Sequence, residues 1–361
     1  MKPAMRLLTL LVGLWCFAAF AQQQDEPVQD VPTAESAAKS LADTREDPAG
    51  RQKVQPYNNA PIWRQVNSAK AFSTQLPNRE GGVLIEPRGQ DWRLLRNGPM
   101  TVWGGWFLVA VLILIALFYV YRGQIRLREP PTGKLIERFT FVERATHWLN
   151  AACFVVLGLT GILMLFGKHV LLPLTGYTIF SILGILSKTT HNFVGPLFAV
   201  TTIAIFLTFV RDNWIRGYDI RWLLRFGGLL KKGSPHPPSG RFNGGEKAFF
   251  WLGVVVLGIV VSVAGFVLDF PNFDQTRFTL QTFWWIHVGA ALLFIALVFG
   301  HIYIGTIGME GALEAMETGY VDETWAKEHH RYWYDDIRSG KIPARRSDEA
   351  TAAALPSQFQ G

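Results

Sequence analysis

The stretch "WWIHVGAALLFIALVFGHIYIG", Trp284–Gly305, holds two imidazoles, His287 and His301, in a run otherwise suited to hydrocarbon. They stand fourteen residues apart. On an α-helix that spacing is about 1400°, within roughly 40° of four full turns, so both side chains share a face and lie about 21 Å apart along the axis. Two further histidines have similar settings, His147 in "ERATHWLN" and His191 in "TTHNFVGPLF". Neutral imidazole is a good iron ligand and costs less to bury than a fixed charge. One such histidine alone reads more readily as packing or hydrogen-bonding glue, so the case rests on whether the four share depths.

Depth depends on the elements that carry them. The 361-residue chain is 49% hydrophobic and has a mean hydropathy of +0.18, too apolar for an ordinary soluble domain of its charge content. Five runs free of Asp, Glu, Lys and Arg are each long enough for a membrane helix: residues 103–121, 146–166, 191–210, 248–268 and 284–304. The intervening apolar stretch "GKHVLLPLTGYTIFSILGILSKTT", with Pro173, Gly176 and Gly184, reads as an interfacial or re-entrant piece. Residues 1–21 carry a basic start (Lys2, Arg6), a short apolar core and Ala19-Phe20-Ala21, the parts of a signal peptide. Residues 22–102 form an arm, polar and without hydrophobic period at its start. The fold class expected is therefore an all-α membrane protein: a four-helix bundle within residues 134–310, one additional helix before it, a mostly irregular N-terminal arm, and a tail over residues 311–361.

Basic residues crowd alternate loops. Arg122, Arg126, Arg128, Lys134, Arg138 and Arg144 follow the first run, and Arg211 through Lys247 follow the third. The other two loops are nearly bare, so the basic loops and the tail are assigned to the cytoplasm and the arm to the opposite side. This makes the net charge of +7 topogenic and gives no reason to invoke nucleic acid.

With that orientation, His191 and His287 fall near the outer face, and His147 and His301 near the inner one. Each pair joins different helices, and the fifth run supplies one member of each. The pattern suits two stacked porphyrins, an outer haem on His191 and His287 and an inner haem on His147 and His301. Gly158, Gly161, Gly195, Gly289 and Gly300 could admit a flat macrocycle, although close helix packing explains any one of them equally well. His169 rivals His191 for the outer position; His236, His329 and His330 lie outside the runs. Only Cys16 and Cys153 are present and no CxxCH occurs, which excludes covalent haem attachment and a cysteine-held iron–sulfur cluster.

Stacked haems carry electrons across a bilayer, and a quinone is the lipid-soluble acceptor that such a path calls for. In "SGRFNGGEKAFFW", Asn243 could bond a quinone carbonyl, Gly244 and Gly245 allow close approach, and Glu246 could relay protons. The same residues also read as a helix start, with Asn243 as cap and Glu246 in the first turn.

Taken in order, "ERATHW", "HNFVGPLF", "RFNGGEKAFFW", "IHVGAALLFIALVFGHIYIG" and "WAKEHHRYWY" resemble the gamma subunit, a cytochrome b, of respiratory formate dehydrogenases over residues 134–336. The resemblance implies two b-type haems on His147, His191, His287 and His301, and a menaquinone or ubiquinone site near His301, Asn243 and Gly245. It also implies a bacterial inner-membrane location and two partners, a molybdenum or tungsten alpha subunit that oxidises formate and an iron–sulfur beta subunit that feeds the outer haem. By the same analogy the tail from His329 to Trp333 would contact a partner. Glu246 stands where some relatives carry Gln, and the leading arm and helix are additions. Rival readings are the cytochrome b subunit of a membrane nickel–iron hydrogenase, a histidine-based metal-ion transporter, and a colourless structural anchor.

Overall fold

The computed structural model describes residues 89–347 apart from 232 and 274, together with two short strands before them. The expected signal peptide and most of the arm lie outside the described residues. The strands β1 (Phe72–Ser73) and β2 (Val83–Ile85) pair antiparallel.

Five helices are long and apolar enough to cross a membrane: Gly89–Arg122, Phe141–Val170, Leu172–Asn213, Gly244–Asp269 and Arg277–Gly308. The additional N-terminal helix begins well before the expected residue 103. Its α1 (Gly89–Leu95) continues through a π-helical segment, Arg96–Trp103, into α2 (Gly104–Arg122). Pro99 lies in the widened turn. Proline lacks an N–H and crowds the preceding turn, and a π-segment accommodates both defects without ending the helix. On its inner face α2 buries Leu108 against Phe166, Leu292 and Ile295. Gly104 permits that approach, since a Cβ there would lie 2.7 Å from Leu292 Cδ1.

The α3 helix (Phe141–Val170) starts at a capping box in which Thr140 Oγ1 accepts from Glu143 N–H and Glu143 Oε2 accepts from Thr140 N–H. It turns directly into α4 (Leu172–Phe209). The stretch expected to be an interfacial or re-entrant piece is helical: residues 167–170 end α3, and residues 172–190 run, with a break at Gly176, into the third candidate span. Pro173 occupies the first turn, where a missing N–H costs nothing, and the sharp break is confined to Gly176, whose φ of 71° suits glycine. Gly184 sits within the helix without disturbing it. At 30 and 38 residues, α3 and α4 exceed the ~30 Å hydrocarbon thickness at 1.5 Å per residue.

A short α5 (Gly217–Leu224) precedes the fourth span. That span comprises α6 (Gly244–Ala248), a π-helical segment Phe249–Leu257 and α7 (Gly258–Asp269). The fifth is α8 (Arg277–Tyr303), capped by Thr276. Between the spans, Cys153, Phe198, Leu257, Ala290 and Phe294 form a mid-bundle core. Asn150 Nδ2 donates across the bundle to Thr201 Oγ1 and Thr202 Oγ1 at 3.0 and 3.2 Å. Outward-facing Leu114, Leu159, Ile203 and Ile259 are exposed, as suits a protein surrounded by lipid tails.

The segment expected to be a tail folds over the basic end of the bundle. After α9 (Ala312–Glu317), β4 (Tyr320–Asp322) pairs antiparallel with β3 (Leu135–Glu137) in the register Ile136↔Val321. Then α10 (Glu323–His329) and α11 (Arg331–Arg338) bury Trp325 and Trp333 beside Phe139, Phe209 and Phe250.

Candidate functional site

The α8 helix presents His287 and His301 toward two different neighbours at two levels. His287 faces His191 of α4 with ring centroids 6.1 Å apart, and His301 faces His147 of α3 at 6.2 Å. These are the pairings expected from depth. His191 stands about half-way along α4 rather than at the head of a span, because α4 begins nineteen residues earlier than anticipated. The rival His169 makes no ring contact with any of the four.

The separation carries chemical meaning. A first-row metal–imidazole bond is about 2.0–2.1 Å, and a ring nitrogen lies roughly 1.1 Å from its centroid, so two imidazoles on opposite sides of one metal have centroids about 6.2–6.4 Å apart. Direct packing of two rings needs no such gap. The 6.1 and 6.2 Å separations are compatible with two imidazoles that would hold one metal between them.

Hydrogen bonds orient the His191–His287 pair. His287 Nδ1 lies 3.0 Å from Val261 O. A carbonyl only accepts, so Nδ1 carries the proton and Nε2 keeps its lone pair for a metal. His191 Nδ1 lies 2.9 Å from Thr160 Oγ1, whose hydroxyl proton is already directed at Val156 O, 2.8 Å away. Thr160 thus accepts from His191, and Nε2 is again the free ligand atom. Such outer partners fix ring orientation and raise ligand basicity. At the inner pair, Phe249 stacks on His301 at 4.4 Å with planes 6° apart, while His147 Nδ1 is buried without a partner among the described residues.

A cavity of about 490 Å³ opens beside His191 and His287, bordered by Gly158, Gly161, Gly195 and Ser262. That volume suits an organic cofactor. A Cβ on Gly158 or Gly195 would meet nothing within 4 Å, and one on Gly161 would touch His191 Cε1 at 3.5 Å. Gly265 instead lets His287 approach, with a Cβ there 3.3 Å from its Cε1. Gly289 and Gly300 also face open space. The donor type, spacing, tautomers and room fit a haem on the outer pair. Donor type and spacing fit one on the inner pair. Among the described residues no group of three or more His, Cys, Asp or Glu side chains assembles as a metal cluster, and Cys153 is buried and unbonded.

Asn243 and Glu246 form a complete capping box at the start of α6: Asn243 Oδ1 accepts from Glu246 N–H at 3.0 Å and Glu246 Oε2 accepts from Asn243 N–H at 2.8 Å. Glu246 Oε1 also accepts from the buried Arg138 at 2.8 Å. The Asn243 amide donors have no partner among the described residues, and the Glu246 side chain remains 35% exposed, so both retain capacity for a further ligand. The neighbouring glycines make room for protein. A Cβ on Gly245 would lie 2.8 Å from the Trp222 ring, and one on Gly244 2.6 Å from Asp219 O.

Arg138 was legible in the sequence only as a topogenic charge. In the structure its guanidinium lies over Phe139 and Trp325, and it donates to Arg241 O as well as to Glu246. Arg241 in turn pairs with Glu143 and Asp212. The stretch His329 to Trp333, expected to contact a partner, is divided: Arg331 and Tyr332 are exposed, whereas its two histidines and its tryptophan turn inward. His329, His330 and Trp333 are 4%, 1% and 4% exposed, and His329 packs on His236 with centroids 4.5 Å apart. Burial holds both imidazoles well below the usual histidine range, with nearby His236 and Arg138 adding to it. The aromatic-rich motif turns inward because Trp325, Trp333 and Tyr334 complete the core at the basic end.

The sequence model of prokaryotic cytochrome b561 matches residues 138–319. The chain is 31% identical over 225 residues to the nitrate-inducible formate dehydrogenase cytochrome b556(Fdn) subunit of Escherichia coli K12, an alignment covering 60% of this chain and 97% of that protein. It is 30% identical over 211 residues to the formate dehydrogenase cytochrome b556(fdo) subunit of the same strain, covering 56% and 93%. The corresponding subunit of Haemophilus influenzae is 26% identical over 206 residues, covering 55% and 82%.

Proposed function

The chain belongs to the prokaryotic cytochrome b561 family, and from that premise we propose that it is the dihaem membrane subunit of a formate dehydrogenase complex, passing electrons across the bilayer to a quinone. The observation that carries the reading is the pair of facing imidazole sets, His191 with His287 and His147 with His301, at 6.1 and 6.2 Å. Bound between them, two haem b groups supply one-electron carriers linking the two faces of the membrane.

The protein's own residues do the rest. Val261 O and Thr160 Oγ1 hold the outer imidazoles with Nε2 turned inward. Phe249 braces His301. The glycine-lined wall leaves room for a macrocycle. Reducing a quinone takes up two protons, so its site belongs near the inner pair. Asn243 offers free amide donors to a quinone carbonyl, Glu246 offers a carboxylate to relay protons, and Gly245 and His301 complete the neighbourhood. Arg138, donating to Glu246 Oε1, keeps that side chain aimed.

We place the basic loops and the folded C-terminal segment in the cytoplasm, following the loop charges, and the arm outside. An iron–sulfur subunit then delivers electrons to the outer pair from a molybdenum or tungsten subunit that oxidises formate. The test is haem content and formate-driven reduction of the purified complex. His287→Ala removes one of two haems and blocks electron entry. His301→Ala removes the other and stops quinone reduction while the remaining haem still reduces. Two haems and normal turnover in both variants overturn the reading.

A further inference from the structure

Two cations border the cavity beside His191 and His287 and have no role in the function described so far: Arg96 and Lys188. Arg96 belongs to the π-helical segment before α2, outside the residues that match the family. Its guanidinium carbon lies 5.5 Å from the Trp92 ring centroid and 5.8 Å from that of Trp284, and the two indoles meet edge-on at 5.6 Å. Trp284 is itself a cavity residue. These contacts hold the planar group between two elements while leaving its N–H edge free. Among the described residues its side chain makes one hydrogen bond, a long one of 3.4 Å from Nη1 to Asn97 Oδ1.

Lys188 precedes His191 by three residues on α4, which places both on one face of the helix. Neither Arg96 nor Lys188 makes an ion pair among the described residues, and neither does Asp269, the one acid in the cavity wall. The rim of an otherwise apolar cavity therefore holds two uncompensated cations against one carboxylate. Lys188 is exposed and Arg96 half-buried, so each can offer its charge and donors to an anionic group held in the cavity.

We propose that Arg96 and Lys188 bind the two propionate carboxylates of the outer haem, so that the segment leading into the additional helix closes the haem pocket. This rests on the dihaem reading above. Haem b is apolar over most of its surface and carries its two carboxylates on one edge. The cavity repeats that division, with glycines and aliphatic side chains around the histidines and cations at the margin. The planar fork of Arg96 matches a carboxylate with two parallel N–H donors. A fixed positive charge near the porphyrin also disfavours the ferric state, so Arg96 raises the outer haem's potential. The additional helix thereby acts on the electron-entry haem as well as anchoring the chain.

The experiment is a potentiometric titration of the whole complex, read by haem absorbance, with the outer haem identified as the one missing from His287→Ala. In Arg96→Gln the ferrous-to-ferric preference of the outer haem falls by roughly tenfold, about 59 mV for a one-electron couple, while the inner haem keeps its potential. Lys188→Gln moves the same haem in the same direction. Arg96→Lys retains the charge and stays nearer the wild type. Two bound haems at wild-type potentials in both Gln variants overturn the proposal. A wild-type complex without haem overturns the dihaem reading and this inference together.

Discussion

Replacing Thr160 with Val tests the tautomer and orientation assigned to His191. Valine keeps the β-branched shape, so the helix and its packing are retained and only the hydroxyl is lost. In the wild type Thr160 Oγ1 accepts from His191 Nδ1 at 2.9 Å while donating to Val156 O at 2.8 Å. Removing it leaves a half-buried ring N–H without its partner, a cost of about 1–3 kcal/mol. The loss of an outer-shell partner lowers affinity at a metal site by about 10–100-fold, or about 1.4–2.7 kcal/mol, which agrees. The sign on the redox couple also follows. The bond from Nδ1–H to oxygen makes His191 a better donor and favours the ferric state, so Thr160→Val raises the outer haem's potential, opposite to Arg96→Gln. The assay combines haem transfer to an excess of apo-acceptor protein with a potentiometric titration, and Thr160→Ser serves as the control that keeps the hydroxyl. Unchanged haem affinity and potential in Thr160→Val, or a shift confined to the inner haem, refutes the assignment.

Two further outcomes concern the basic end of the bundle. Lys247 Nζ lies 2.8 Å from Asp219 Oδ2 and 3.0 Å from Trp214 O, with both charged side chains almost fully buried. Lys247→Met strands the carboxylate and destabilises the protein by about 3–5 kcal/mol in thermal unfolding in detergent, and adding Asp219→Asn recovers part of it; additive losses would contradict the coupling. His329 and His330 are neutral in the fold, their values depressed chiefly by burial. Their contribution is fully present above the unfolded value of about 6.5 and is lost as pH falls below it, because the unfolded segment then binds protons that the folded one cannot. Hydrogen exchange over residues 320–338 should therefore lose protection between pH 7.5 and 5.5, by up to about 1.4 kcal/mol per pH unit for each imidazole. Protection that stays flat across that range contradicts the burial argument.

The apolar runs and the fourteen-residue spacing on α8 were legible in the sequence because both are local. Helical period and hydrocarbon thickness act on any chain that enters a bilayer, so the number of candidate spans and the shared face of His287 and His301 follow from order and length alone. Capping at Asn243 and Glu246 was readable for the same reason, as a bond between residues three apart. The course of residues 172–190 was not, since Pro173 and Gly176 mark a break without stating whether a full helix follows. Partnership at long separation was equally hidden. Thr160 meets His191, Val261 meets His287, β3 pairs with β4, and Arg96 reaches the outer cavity only once the helices pack. The inward turn of His329, His330 and Trp333 is likewise a tertiary result. An aromatic, basic motif has the same composition on a partner-facing surface as in a core, and only the apolar floor formed by Phe139, Phe209 and Phe250 decides which way it faces.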